Sequence, residues 1–266
     1  MTFKNLIETT VNNVISDKDI LNKAYDDALH PAAQNIGKAL GTLTSTLNAL
    51  LTPIGWAVYG FEQIDKVVKE SLEHKLSKVP IENLKEPEAN IVIPAYESLR
   101  YSLNKEQLKE MYINLIANSM QDNKSDNVHP AFVSVVNQLS SFDAEFLKLL
   151  FFNKDPQLPK IKVRLQVSKD NDIGIDIVRT LLSPLYFSDS SSLDKYSFSL
   201  DNLERLKIIE IHDNYFLNEP NIYDDIIKSI DNDSFLNARD NLKYVNLIKG
   251  SIYLTKFGKQ FVNSVF

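Results

Sequence analysis

The sequence predicts a mainly α protein in two parts: an N-terminal multi-helix bundle over residues 1–153, and a smaller α+β, winged-helix-like C-terminal domain over 154–266. Three observations carry that expectation. Apolar residues recur at intervals of three and four through most segments up to Leu150, the spacing of one helix face. Residues 160–167, KIKVRLQV, alternate strictly instead, as a half-buried strand does. The C-terminal stretch orders a helix (Leu200, Leu203, Leu206, Ile208, Ile209), a strand, an intervening segment, and a strand entering L-T-x-x-G-x-x-F at Leu254, Thr255, Gly258 and Phe261. Many winged-helix domains close in that order.

The elements follow in turn. Residues 3–29 read as helix, with one stripe through Ile7, Val11, Val14 and Ile15 and another through Ile20, Leu21, Ala24, Ala28 and Leu29. His30-Pro31 breaks the chain, and helices 32–51 and 53–78 lie either side of Pro53, which lacks an N–H and turns Thr52 away from the α region. Pro80, Pro87 and Pro94 mark 79–96 as a packed connector. A helix over 95–102 precedes Asn104, an N-cap with Gln107 at the capping-box position. Helix 105–120 and the polar loop 121–127 follow. His129-Pro130 opens a helix burying Phe132, Val133, Val136 and Leu139, and Ser141 caps the next. After strand 160–167 the pattern predicts a helix over 173–183, a Ser-rich loop over 187–197, a helix ending near Lys207, a short strand, then strand and helix over 251–266.

The window 39–61, ALGTLTSTLNALLTPIGWAVYGF, has no charged residue. As one helix it would be about 34 Å long, against about 30 Å for a bilayer core. Pro53 divides it, however, and neither piece alone spans a membrane. Ile36, Leu40, Leu43, Leu47, Leu50 and Ile54 form a heptad seam, and Gly37 and Gly41 let helices approach closely. The candidate residues of this 36–61 hairpin, as a membrane or partner element, are Gly37, Gly41, Leu43, Leu47, Leu50, Pro53, Gly55 and Trp56. A soluble hairpin is the first expectation, and a conditional membrane element the alternative.

Composition excludes several classes. A net charge of −6 and a pI near 5.3 argue against broad electrostatic binding of nucleic acid. The chain has no cysteine, which removes disulfides, thiolate metal sites and cysteine nucleophiles. No glycine cluster has dinucleotide or P-loop spacing. The N-terminal MTFKNLIETTVNN lacks a signal peptide's apolar core, so a cytoplasmic protein is expected, membrane-associated on activation. His30, His74, His129 and His212 are scattered and make no HxH or HExxH pair. No catalytic constellation, metal site or cofactor is expected. His129 and Pro130 are a candidate structural turn. Lys160, Lys162 and Arg164 are the only local cationic row. Such a row could touch an anionic lipid or nucleic acid, but more often it is a solvated edge strand guarded by lysines.

Several pieces together resemble the abortive infection alpha family of bacterial and prophage proteins. They are PAAQNIGKALGTL (31–43), LLTPIGW (50–56), LSKVPIENLKEPEANIVIPAYESLRYS (76–102), LKEMYINLIANSMQ (108–121) and VHPAFVSVVNQLSSFDAEFLKLL (128–150). The resemblance covers residues 20–150 best, and LDNLERLKIIEI and SIYLTKFGKQF also fit. It implies phage defence: a protein that stops an infected cell from yielding phage, often by harming the host. It implies no established catalytic residues. The expected function is a non-enzymatic conditional effector, triggered by a protein partner or phage component, with a second copy of the chain and a membrane as further contacts. The alternative is a winged-helix-type nucleic-acid-binding or protein-interaction regulator.

Overall fold

The computed structural model describes residues 61–86, 88–152, 157–186, 193–231, 235 and 242–266. The 36–61 hairpin candidates, and the helices expected over 3–51, lie outside the described residues. In chain order the elements are α1 (Phe61–Leu76), α2 (Ala89–Leu99), α3 (Glu106–Ser119), α4 (Asp122–Ser125), α5 (Ala131–Val136), α6 (Ser141–Phe152), β1 (Gln157–Ser168), β2 (Asn171–Leu181), α7 (Leu193–Arg205), β3 (Ile209–His212), α8 (Asp224–Lys228), β4 (Tyr244–Leu254) and α9 (Lys256–Val265).

The expected architecture, a mainly α bundle followed by a winged-helix-like domain, is corrected. About half of the described residues are helical, and among them four strands form one curled antiparallel sheet in the order β2-β1-β4-β3. The segment 173–183, expected as helix, is most of strand β2. Ile173, Ile175 and Ile177 repeat at period two, and branching at Cβ favours the extended backbone. Lys169 and Asp170 make the turn that folds β2 back on β1. On its other side β1 pairs with β4 from Gln157↔Tyr253 to Gln166↔Tyr244. β1 is therefore an inner strand, not the edge strand its lysines implied.

The chain divides into two compact units, Met1–Arg100 with Leu115–Asp126, and Tyr101–Asn114 with Asn127–Phe266; α3 supplies residues to both. In the first, α1 buries Val68, Leu72 and Leu76, and α2 buries Ile91, Val92, Ala95, Tyr96 and Leu99. The connector between them is pinned by a bridge between Leu84 and Gln121 and by the Lys85 N–H on the Met120 carbonyl (3.0 Å).

In the second unit one face of the sheet is apolar. Ile161 and Val163 form a core with Tyr223 and Ile226 of the α8 region, flanked by Val178, Leu181, Val245 and Leu247. Each fully buried aliphatic side chain contributes about 1.5–3 kcal/mol. Helix α7 bridges the two edge strands: Glu204 accepts from the Arg179 guanidinium on β2 (2.7 Å) and from the Ile211 N–H on β3 (3.3 Å). Helix α7 docks on α6 through both aromatic and polar contacts: the Tyr196 ring meets Phe142 and Phe146 at 5.2 and 5.4 Å. Buried Asp143 accepts from Ser199 Oγ (2.5 Å), Asn202 Nδ2 (3.2 Å) and the Ser140 N–H (2.8 Å), while Ser140 Oγ accepts the Asp143 N–H (3.0 Å). That reciprocal pair is a capping box one residue earlier than the cap expected at Ser141. Gln107, expected to box with Asn104, donates to Glu145 instead.

Helix α7 stops where the sequence places its end. Lys207 is left-handed (φ 58), and the Ile208 N–H reaches the Leu203 carbonyl (3.0 Å) while the Lys207 N–H reaches that of Glu204 (2.9 Å); these are the two bonds of a Schellman motif. Thr255 caps α9 as expected, accepting the Gly258 N–H (2.8 Å), and it donates to the Lys207 carbonyl (2.6 Å). Phe132 meets Phe257 and Phe261 edge-on at 5.2 and 5.4 Å. A Cβ on Gly258 would overlap the Ile208 carbonyl, so the first turn of α9 can lie on that backbone only without one. Gly258→Ala is expected to lower the unfolding free energy by about 1–3 kcal/mol in urea titration, despite alanine's better helix propensity. Unchanged or raised stability would show that the close approach is not required.

Candidate functional site

Directly opposed residues of an antiparallel sheet share a face. On the face away from the apolar core, β1 presents Lys160, Lys162, Arg164 and Gln166, opposite Gly250, Ile248, Asn246 and Tyr244 of β4. Gly250 is decisive. A Cβ there would lie 2.7 Å from Lys160 Cε and overlap the His212 carbonyl. Its lack leaves room beside Gly250 for the Lys160 stem, whose head group reaches Asp213, one residue past the end of β3.

Lys160 is fully buried at 0% exposure. Its ammonium donates to Asp213 Oδ1 and to the Arg179 carbonyl (3.1 Å). Asp213 Oδ2 accepts from Lys162 (2.9 Å), which lies 3.2 Å from Asp176. Arg164 donates to Asp176 (2.7 Å) and to the Asp172 carbonyl (2.8 Å), with its Nε 3.4 Å from the Asp172 carboxylate. Gln166 closes the chain on Asp172 (2.9 Å). The cationic row thus meets Asp213, Asp176 and Asp172 and is neutralised in place.

The titration shifts follow. Burial lowers the Lys160 pKa, with the Asp213 hydrogen bond and charge opposing it. Lys162 is raised, chiefly by its bond to Asp213. Burial pushes Asp213 up, but the bonds and charges of Lys160 and Lys162 together hold it below the ordinary carboxylate value. Asp176 is held low mainly by Arg164. A row so compensated offers little free positive potential for phosphate.

A second cluster lies at the β3–β4 edge. The Tyr253 hydroxyl is 2.8 Å from Glu210 Oε2 and 2.7 Å from His212 Nε2, and its ring stacks on His212 at 4.9 Å. Hydrogen bonds from Tyr253 and then His212 lower the Glu210 pKa, and Glu210 raises that of Tyr253. The register that opposes Glu210 to Tyr253 joins residues distant in sequence, so nothing local announces the cluster. The same holds for Asp213. His129 sits at the start of α5, where its Nδ1 accepts the Ala131 N–H (3.1 Å) and Pro130 occupies the N-cap.

Among the described residues, no group of three or more His, Cys, Asp or Glu side chains is placed to hold a metal ion, and no helix is long and apolar enough to cross a membrane.

The family model described as abortive infection alpha matches residues 60–265. Neither the curated proteins nor the solved structures yield a match. The matched region holds all of the sheet and its ion network. The sequence segments 31–43 and 50–56 fall before it.

The network makes acid stability a direct readout. A carboxylate whose folded pKa is depressed adds stability above its unfolded value, about 3.9 for Asp, and loses it as pH falls through the folded value. Wild-type unfolding free energy should therefore fall as pH drops below about 4, and Asp176→Asn should fall less over the same range. Equal slopes in urea titrations would contradict the pairing of Asp176 with Arg164 and Lys162.

Proposed function

The chain belongs to the abortive infection alpha family, and from that premise we propose that it is a conditional effector that acts through contacts rather than catalysis. Its role is phage defence by abortive infection. The observation that carries the reading is the family match across residues 60–265, which takes in the whole curled sheet. Within that region the self-compensated charges of Lys160, Lys162 and Arg164 support a fixed platform rather than a polyanion-binding face. In this reading the platform receives the infection signal from a phage component or a protein it alters. The uncharged window 39–61 of the 36–61 hairpin is the element that then disturbs the membrane; its composition supports that assignment.

Infection of cells expressing the protein tests both levels. The reading expects infected cells to die while releasing few phage, so that cultures survive at low multiplicity of infection and collapse at high multiplicity. It also expects loss of membrane potential at the time of death, abolished by Leu47→Glu in protein whose circular dichroism is unchanged. Survival and division of infected cells would overturn abortive infection. Death with the potential maintained would overturn the membrane step alone.

A further inference from the structure

The loop after β3 holds two adjacent aromatic side chains in solvent: Tyr215 is 65% exposed and Phe216 58%. Exposed aromatic pairs in floppy loops need no explanation, but this backbone is tied on both sides. Asp213 is anchored by Lys160 and Lys162. The Tyr215 carbonyl accepts from Ser251 Oγ (2.6 Å). The Leu217 N–H donates to the Tyr223 hydroxyl (2.8 Å), which donates to the Gly250 carbonyl (2.9 Å). The Tyr215 ring also meets His212 edge-on at 6.4 Å. The pair is therefore presented in a set geometry, so ordering it on binding costs little entropy, and rigid aromatic anchors of this kind dominate protein interfaces.

The surrounding charge selects the partner. Residues 208–227 contain Glu210, Asp213, Glu219, Asp224 and Asp225 and not one Lys or Arg. Asp213 is spent on Lys160 and Lys162, but Glu219, three residues after Phe216, and Asp225 are exposed. The nearby cation Lys249 is engaged over the Tyr223 ring at 5.0 Å. Nucleic acid and anionic lipid are repelled by such a surround. A lysine- or arginine-bearing segment with apolar residues between its charges is attracted, and its cations can also lie on the aromatic faces.

We propose that the loop Asp213–Ile222 is a docking surface for a basic, apolar-interrupted segment of a protein partner, with Tyr215 and Phe216 as its anchors. It rests on the reading of the chain as a triggered effector, and it assigns the trigger contact. The test uses full-length protein and a fluorescein-labelled (Lys-Leu-Gly)4 peptide, with (Glu-Leu-Gly)4 as its counterpart, followed by anisotropy. Wild type should bind the lysine peptide and not the glutamate peptide. Tyr215→Ser with Phe216→Ser, at unchanged melting temperature, should weaken binding at least tenfold, and Glu219→Lys several-fold. Failure of wild type to bind, equal binding of both peptides, or binding indifferent to the double substitution would overturn the surface. Wild-type binding to phosphatidylcholine–phosphatidylglycerol vesicles, lost in the double variant, would assign the aromatics to lipid and overturn the protein partner. In infected cells the double variant should lose protection. Peptide binding lost with protection intact would overturn the link to the trigger, whereas loss of protection in wild type itself is a failure of the defence reading and not of the surface.

Discussion

An ammonium group enclosed by protein must find its counter-charge within reach, because the cost of stripping its water is several kcal/mol. Lys160 imposes that constraint on the sheet. Its head group needs the Asp213 carboxylate and the Arg179 carbonyl, its stem needs the gap at Gly250, and Asp213 in turn needs Lys162. These residues come from β1, β2, β4 and the end of β3. One buried charge thereby fixes where every strand of the sheet must lie at that end, and a loop that would otherwise move freely is tethered at its first residue.

The rest of the second unit is arranged around that tether. β3 is only four residues long and pairs with β4 alone, which is little ladder to hold an edge strand. Glu204 adds a bond from α7 to its outer side, and Tyr253 binds Glu210 and His212 across the ladder. Asp143 and its capping box dock α7 on α6. Polar groups that are individually costly to bury are satisfied here by partners from other elements, which favours one arrangement over slipped alternatives.

How much of this was legible in the sequence depended on the range of each interaction. Local signals served well: the alternation of 160–167, the Thr255 cap, and the turn at Lys207 where α7 ends. The strand at 171–181 carries a local signal of its own, the period-two repeat of Ile173, Ile175 and Ile177 across Gly174 and Asp176; the helix expected over 173–183 overlooks that alternation, and pairing with β1 completes the strand. The cationic row was visible as a row, yet its meaning was not. Lys160 and Asp213 are 53 residues apart in sequence, and no periodicity announces that a glycine on a third segment will open the way between them. Without the carboxylates, three basic residues on one face look like a contact surface; with them, they are the inside of a brace. The Glu210–His212–Tyr253 cluster was hidden for the same reason, since it exists only through strand register.

A double-mutant cycle on Lys160 and Asp213, by urea unfolding of Lys160→Met, Asp213→Ala and the combined variant, tests the central claim most directly. The account predicts that Asp213→Ala costs about 3 kcal/mol or more by leaving a buried ammonium without its main partner, that Lys160→Met costs less because Asp213 is partly exposed and retains Lys162, and that the combined variant is more stable than the sum of the two losses requires. Additive losses, or an Asp213→Ala variant as stable as wild type, would contradict it and return the basic row to the status of a free surface.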